Sequence, residues 1–502
     1  MTRRNVGLVL LLAAVALLPF ADLEIGGHDP WRVLGRVLAG FLAPSFATLA
    51  SLGDAIALTL AFAFFGVALG AAVGLALAVL HHRRAVRIGC AVLRSVHELF
   101  WALLLIQPLG PSASAGVLAI AIPYAGIFGK VFAEILDEID RRPADVLPPR
   151  TGRISAFLFA RLPLALGPMR VYGLYRVECG LRSSAVLGFV GLPTLGFELD
   201  TFFRQGEYGS VAAVLLAYYA LIGTMRLWMR PRLVPFYLLG ALAVLAGTRS
   251  VPLSWDNVTR FLTEDLVPAP LRDANLLDVA PWAELGDWLG LLVGEQAVPG
   301  MVATLVVSQI TIALMGLLAL AAYPLLVPAV VGRVGRGVGH VILVVARSTP
   351  EFMLCYLALQ ILGPSMLPAI LALGIHNGAI IAHLLGREAE RVVPMLRPDA
   401  PRGLDLHAYE LTPRLYAPFL AYVFYRWEIV VRESAIVGML GIQTLGFFVD
   451  SAIAEIRLDR AVVLLMITAA VTLAIDAVSR LVRRRLGLGA FGGLEARTAR
   501  LG

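Results

Sequence analysis

Apolar and polar positions along this chain alternate on the scale of whole helices: long apolar runs are separated by short polar stretches. A bilayer crossing needs about 20 residues. On that measure the runs near 5–20, 55–80, 88–109, 113–133, 163–180 and 209–229 read as spans, and those near 233–248, 300–330, 341–362, 366–385, 414–432 and 460–481 repeat the count. The pattern predicts an all-α integral membrane protein of about 12 transmembrane helices. Six spans return the chain to its starting side, so the halves read as two parallel six-helix repeats, residues 1–232 and 233–502.

Composition agrees. Of 502 residues 59% are apolar and only 15% charged, and mean hydropathy is +0.81, whereas a soluble domain carries about 25% charged residues. The net charge of +7 does not point to nucleic acid, because the basic residues are nearly all Arg and gather between spans, at 83–87, 141–153 and 480–485. Such loops mark the cytoplasmic side, with both termini there. Residues 249–297 read as an extracytoplasmic segment: between 249 and 296 eight acids face three arginines, while the loop at 331–340 holds no acid. The stretches near 30 and 255 echo one another as short amphipathic helices at the outer surface. The first apolar run follows MTRR without a small-x-small cleavage site and reads as a retained helix. Cys90, Cys179 and Cys355 stand singly in apolar surroundings and read as core.

A charged, glycine-punctuated passage occurs twice. YGLYRVECGLRSSAVLGFVGLPTLGFELD at 172–200 and YVFYRWEIVVRESAIVGMLGIQTLGFFVD at 422–450 share 14 of 29 positions. Tyr175, Arg176, Glu178, Arg182, Ser184, Gly188, Gly191, Thr194 and Gly196 recur as Tyr425, Arg426, Glu428, Arg432, Ser434, Gly438, Gly441, Thr444 and Gly446. Ionisable residues at membrane depth cost at least about 2.5 to 3.5 kcal/mol each and so face the bundle interior or a wet cavity. Glu178 and Arg182, like Glu428 and Arg432, stand four apart and share a helix face. Arg176 and Arg426 have no acid four residues away; they read either as an anion site shared by the two halves or as partners of Glu98 and Glu351. Counted from Pro163 and Pro413, about 13 residues at 1.5 Å put both arginines in the outer half of the core. The glycines interrupt helix too often for a continuous span. They read as a re-entrant gate, or as close helix packing through small residues.

Between the fourth and fifth spans of each half lies a long polar loop. An acidic stretch (Glu134 and Glu138; Glu388 and Glu390) is followed by a turn, a glycine (Gly152; Gly403) and a proline expected to open the next span (Pro163; Pro413). This loop resembles the coupling segment of binding-protein-dependent ABC importer permeases, in degenerate form. The YRxE, RxS and GxxGxxTLGF pattern is similar to that of the phosphonate-type permease family, as are RSVHELFWALLL, RSTPEFMLCYLAL and HNGAIIAHLLGRE; PYAGIFGKVFAE departs from it in the first half. The resemblance implies a type I ABC importer permease-like fold with two permease units fused in one chain of the bacterial inner membrane. It implies import of a phosphonate, phosphite or phosphate delivered by a periplasmic or extracellular binding protein, with ATP hydrolysed on two cytoplasmic ABC ATPase subunits. Tyr175, Arg176, Glu178, Arg182, Ser184 and Thr194, with Tyr425, Arg426, Glu428, Arg432, Ser434 and Thr444, would then line the path, and the acidic loops would meet the ATPases.

The chain carries no GxxxxGK[ST] phosphate loop and no catalytic or metal signature. It reads as neither an enzyme nor a metal or cofactor protein. The competing expectation is a twelve-helix secondary transporter of the major facilitator type, whose halves are also parallel repeats.

Overall fold

The computed structural model describes residues 3–26, 29–140, 142–148, 150–248 and 254–488. The first residues of the acidic segment, 249–253, and the C-terminal residues from 489 onward lie outside the described residues. In chain order the main helices are α1 (Arg3–Leu17), α2 (Pro30–Leu42), α3 (Gly53–Val79), α4 (Arg84–Ser95), α5 (Glu98–Leu109), α6 (Ala113–Glu138), α7 (Leu162–Val186), α8 (Leu195–Gln205), α9 (Tyr208–Gly223) and α10 (Val234–Gly247). They continue as α11 (Ala280–Leu292), α12 (Val298–Ala322), α13 (Pro328–Ser348), α14 (Glu351–Leu362), α15 (Met366–Val392), α16 (Thr412–Ile436), α17 (Leu445–Ala454) and α18 (Leu458–Arg485). Every apolar run of the sequence falls on a helix. Seven helices among the described residues are long and apolar enough to cross a membrane, or nine when each bent pair counts as one span.

The gap between these numbers and the twelve expected spans has two physical sources. α1, α9 and α10 are short, at 15, 16 and 14 residues. The expected third span, 88–109, is not one helix: α4 and α5 meet at a 92° bend. There Val96 and His97 are extended, and the His97 imidazole caps α5 by accepting from the Leu99 amide at 3.2 Å. Its counterpart, 341–362, divides at Thr349 and Pro350. A proline disfavours helical geometry in the residue before it, which ends α13 there.

Two compact units emerge, Ser45–Ser254 and a second made of Met1–Pro44 with Trp255–Gly489. Packing therefore cuts the chain at different places from the sequence repeat. α1 packs in the second unit, where Gln309 Nε2 donates to the Leu10 carbonyl at 3.3 Å. α10, which follows residue 232, packs in the first unit, with the Tyr237 ring 5.1 Å from that of Phe64.

The tightest packing in the first unit is α3 on α6. Gly66, Gly70 and Gly74 recur every fourth residue and receive Ile120, Tyr124 and Phe128; a Cβ on Gly74 would lie 2.4 Å from the Phe128 Cβ. Gly116 and Gly129 of α6 in turn receive Phe62 and Leu77 of α3, and the second unit uses glycines of the fourth span. Gly374 and Gly378 of α15 receive Leu314 and Leu318 of α12. Small residues let helix backbones approach where no hydrophobic effect operates between apolar surfaces.

Pro163 and Pro413 lie in the first turns of α7 and α16, yet the helical run does not start there, contrary to the sequence expectation. Helix begins at Arg153 and at Gly403 and passes through each proline by way of a π turn, Phe157–Arg161 or Leu406–Leu411. The widened turn accommodates a residue that lacks an amide hydrogen and would clash with the preceding turn. The acidic stretches are likewise not separate helices: Glu134 and Glu138 end α6, and Glu388 and Glu390 lie in α15.

Candidate translocation site

In each unit the repeated passage folds the same way. α7 ends at Val186, a 3-10 turn follows over Leu187–Val190, Gly191 reverses the chain at φ +88°, and α8 starts at Leu195. In the second unit α16 ends at Ile436, the turn covers Val437–Leu440, Gly441 has φ +91°, and α17 starts at Leu445. These φ values lie in the left-handed region, which glycine adopts at no steric cost. Gly188 and Gly196 serve another purpose: a Cβ would lie 2.0 Å from the Phe197 nitrogen and 1.9 Å from the Ala185 oxygen respectively. Gly438 likewise lies against Phe447 and Thr444, and Gly446 is buried in the first turn of α17. The break expected from the glycines is present in both units, and it is closely packed.

Its backbone is hydrogen-bonded at both ends. Thr194 Oγ1 donates to the Ala185 carbonyl at 3.2 Å, and Thr444 Oγ1 to the Ala435 carbonyl at 3.2 Å. The Leu195 amide donates to Thr59 Oγ1 at 3.0 Å, and the Leu445 amide to Thr304 Oγ1 at 3.0 Å. Ser184 and Ser434, fully buried, donate to Leu181 and Val431 carbonyls at 3.0 and 2.9 Å. These four hydroxyls, expected along the path, are thus occupied by backbone. Thr59 and Thr304 were not singled out from the sequence; the only signal is a Thr-Leu pair at matching places in the second span of each half.

The arginines sit lower. Arg176 Nε donates to the Tyr172 hydroxyl at 2.7 Å, and its guanidinium stands 5.1 and 5.7 Å from the Tyr172 and Tyr175 ring centroids. Such stacking is worth about 0.5 to 2 kcal/mol. Arg182 lies within electrostatic reach of Glu178, Tyr175 and Tyr218 and approaches the Cys179 sulfur at 3.6 Å. In the second unit Arg426 buries its Nε, and Tyr425 and Glu428 lie within reach of Arg483. Ser479 Oγ donates to the Phe424 carbonyl at 2.6 Å. Ser479 is 21 residues beyond Leu458, so at about 1.5 Å per residue this level lies some 30 Å down α18, beside the arginines at 480–485. Arg426 and Tyr425 therefore lie toward the basic end of the bundle, not in its opposite half as counted from Pro413. That count took Pro413 as the start of the helical run, which instead begins at Gly403 and passes through the proline.

Between arginines and break lies a polar layer, of which the sequence reading named Glu98 and Glu351 only as partners of the arginines. In the first unit Ser183 Oγ donates to Glu98 Oε1 at 2.5 Å, the His97 Nε2 is 3.5 Å from the same oxygen, and the Tyr124 hydroxyl is 3.5 Å from Ser183. In the second, Asn377 Nδ2 donates to Glu433 Oε2 at 2.8 Å, and His376 spans the Thr349 carbonyl at 2.9 Å and Glu351 at 3.7 Å. His97 and His376 are thus satisfied interior groups.

At the basic end, Glu134 is 3.9 Å from Lys130, Glu388 is 3.4 Å from Arg391, and Glu390 is 2.5 Å from Arg336. Gly403 has φ +65° and Gly152 is exposed. Arg142 beside Asp140 holds that exposed carboxyl below the usual carboxylate range, fastening the turn after α6. No group of three metal-ligating side chains occurs among the described residues.

With this geometry in place, the relatives are informative. The chain is 27% identical over 420 residues to the phosphate-import permease PhnE of Mycolicibacterium smegmatis, covering 78% of this chain and 76% of that one. The chain is thus similar to a phosphate-import permease over most of its length. It is 32% identical over 133 residues to a putative phosphite transport system permease, HtxE, and 34% identical over 131 residues to the phosphite permease PtxC, both of Stutzerimonas stutzeri. Each of these two matches covers 26% of this chain and about half the relative, 51% and 48%. No protein-family model and no solved structure matches.

Proposed function

We propose that this chain is the translocation subunit of an ATP-driven importer that carries phosphate, phosphite or a phosphonate through the bacterial cytoplasmic membrane. The observation that carries the reading is the similarity to a phosphate-import permease over 78% of the chain. The chain has no catalytic role: a binding protein outside delivers the anion, and two copies of an ABC ATPase bind and hydrolyse ATP at the cytoplasmic face, where both termini lie.

Two permease units are fused here. The phosphite permease HtxE, of which 133 aligned residues make up 51%, has roughly 260 residues, about half the length of this chain. Each sequence repeat, 1–232 and 233–502, would contribute six crossings, counting short helices and broken spans as crossings, so one copy of the chain serves each transporter.

Arg176 and Arg426 attract the anion near the cytoplasmic end of the path, with Tyr175, Tyr425, Arg182 and Arg432 beside them and Glu178 and Glu428 moderating the field. Attraction has to stay moderate, since a site that holds too tightly does not release. Ser184, Thr194, Ser434 and Thr444 shape the path indirectly, through the glycine-broken connectors at Gly188, Gly191, Gly196, Gly438, Gly441 and Gly446. The basic-end segments around Glu134, Glu138, Gly152 and Pro163, and around Glu388, Glu390, Gly403 and Pro413, receive the ATPases.

Purification from its own host tests the reading. The chain should bring down an ATPase, with one copy of the chain and two ATPases by native mass spectrometry, and proteoliposomes should take up phosphate, phosphite or a phosphonate only with ATP. Uptake driven by a proton gradient without an ATPase would replace this reading with the secondary transporter.

A further inference from the structure

We infer that the connector between the fifth and last helices of each half is a rigid elbow, latched to the second span by a threonine, so that the path opens by movement of second span, elbow and fifth span as one body. This rests on the transport reading above. It assigns Thr59 and Thr304 as positioning residues and removes the hinge role from the glycines.

Unpaired backbone sets the constraint. Ending one helix and starting another at membrane depth exposes carbonyls at the first end and amides at the second, with no water to meet them. Here both are met. The Ala185 carbonyl takes the Thr194 hydroxyl, and the Leu195 amide, first of α8, takes Thr59 Oγ1. Thr59 is a cap supplied by another helix. Its hydroxyl hydrogen goes to the Ala55 carbonyl of α3 at 2.6 Å, which turns the oxygen lone pairs toward Leu195. The second unit repeats the arrangement independently: Thr304 donates to the Gly300 carbonyl at 2.7 Å and accepts from Leu445 at 3.0 Å, and Ser434 Oγ reaches the Thr304 carbonyl at 3.4 Å.

Steric closure adds to this. Thr59, Thr194, Thr304 and Thr444 are all at most 1% exposed, and Gly188 leaves no room for a Cβ before the Phe197 nitrogen. In the second unit Gly300 meets Leu445 within 3.1 Å of where its Cβ would be, bringing the second span itself against the start of α17. A hinge needs room and cheap hydrogen bonds to break; this junction has neither.

Amide hydrogen exchange on the full chain in nanodiscs tests the latch. Leu195 and Leu445 should be strongly protected, and Thr59→Val or Thr304→Val, which keep shape and lose the hydroxyl, should lower protection at the facing leucine by about tenfold. Thr59→Ser and Thr304→Ser should restore it. In the assembled transporter, phosphate uptake should fall with the Val variants and recover with Ser, and both amides of the parental chain should keep their protection between resting and vanadate-trapped states. Loss of protection in the trapped state, or Val variants that match the parent in both exchange and uptake, would overturn the inference. Should a Val variant not accumulate, the parental resting-to-trapped comparison decides alone. Failure of an ATPase to copurify would strike the transport reading and leave the exchange result on the isolated chain standing.

Discussion

The two halves pack their second and fourth spans differently. In the first, glycines lie on both helices, 66, 70 and 74 of the second span against Ile120, Tyr124 and Phe128, and 116 and 129 of the fourth against Phe62 and Leu77; in the second, glycines 374 and 378 of the fourth span receive leucines of the second. The connectors, by contrast, match hydrogen bond for hydrogen bond, with 3.2 and 3.0 Å contacts in each unit. Close approach of two helices can be reached from either side, so the residues that achieve it are free to exchange. A break inside a membrane has few ways to satisfy its backbone, and the residues that do so are alike in both halves.

The largest effect expected is at the matching element. Gly188→Ala and Gly438→Ala place a Cβ 2.0 and 2.3 Å from the Phe197 and Phe447 nitrogens, where only backbone movement relieves the contact. Each should destabilise by about 3 kcal/mol or more, the upper end of overpacking, and by similar amounts in the two halves. Thermal unfolding in detergent checks this. A large effect in one half and none in the other would break the equivalence of the connectors.

The packing stripes should respond unequally. In Gly74→Ala the new Cβ meets the Phe128 Cβ, which is fixed to its backbone, while in Gly374→Ala it meets Leu314 Cδ2 at 2.7 Å, the far end of a side chain that can rotate. The first should cost about 2 kcal/mol and the second under about 1 kcal/mol. Equal losses would mean that both stripes are equally unyielding.

Much of this was legible in the chain. Helix positions followed from apolar runs, and the connectors from the doubled passage. The spans at 88–109 and 341–362 were misread as continuous because hydropathy does not register a bend: Val96 and His97 are compatible with a buried helix, and only Pro350 signals the second break. Pro163 and Pro413 misled for the opposite reason, being strong helix openers that a π turn can absorb. Thr59 and Thr304 were invisible because their partners lie more than a hundred residues away. The depth expected for Arg426 was counted from Pro413, which the helical run passes through.

The polar layer sharpens the contrast at a smaller scale. Asn377 is wholly buried and donates to Glu433, itself 6% exposed, whereas Ser183 is one of several groups around Glu98. Asn377→Leu removes a donor from a buried carboxylate and should cost about 2 to 3 kcal/mol, while Ser183→Ala should cost about 1 kcal/mol. Melting temperatures of the two variants order them, and the reverse order would show that the first-unit cluster is the more tightly balanced.

The smallest stability effect is expected at the basic end, where it separates structure from coupling. Glu390 meets Arg336 with both side chains well exposed, and Glu134 meets Lys130 likewise. Exposed pairs contribute about 0.2 to 1 kcal/mol because water and salt screen them. Glu390→Gln and Glu134→Gln should therefore leave the melting temperature nearly unchanged, and any residual loss should shrink further in high salt. If these helix ends receive the ATPases, the same variants should still lower ATP hydrolysis stimulated by the loaded binding protein, since an acid at such a docking face contributes mainly to orientation and association with its partner. The pairs differ in geometry, 2.5 Å against 3.9 Å, so Glu390 is the better fixed of the two and its loss should reduce stimulation more. Unchanged stimulation in both variants would remove these acids from the coupling contact and leave the turns beginning at Gly152 and Gly403 as the surfaces to probe.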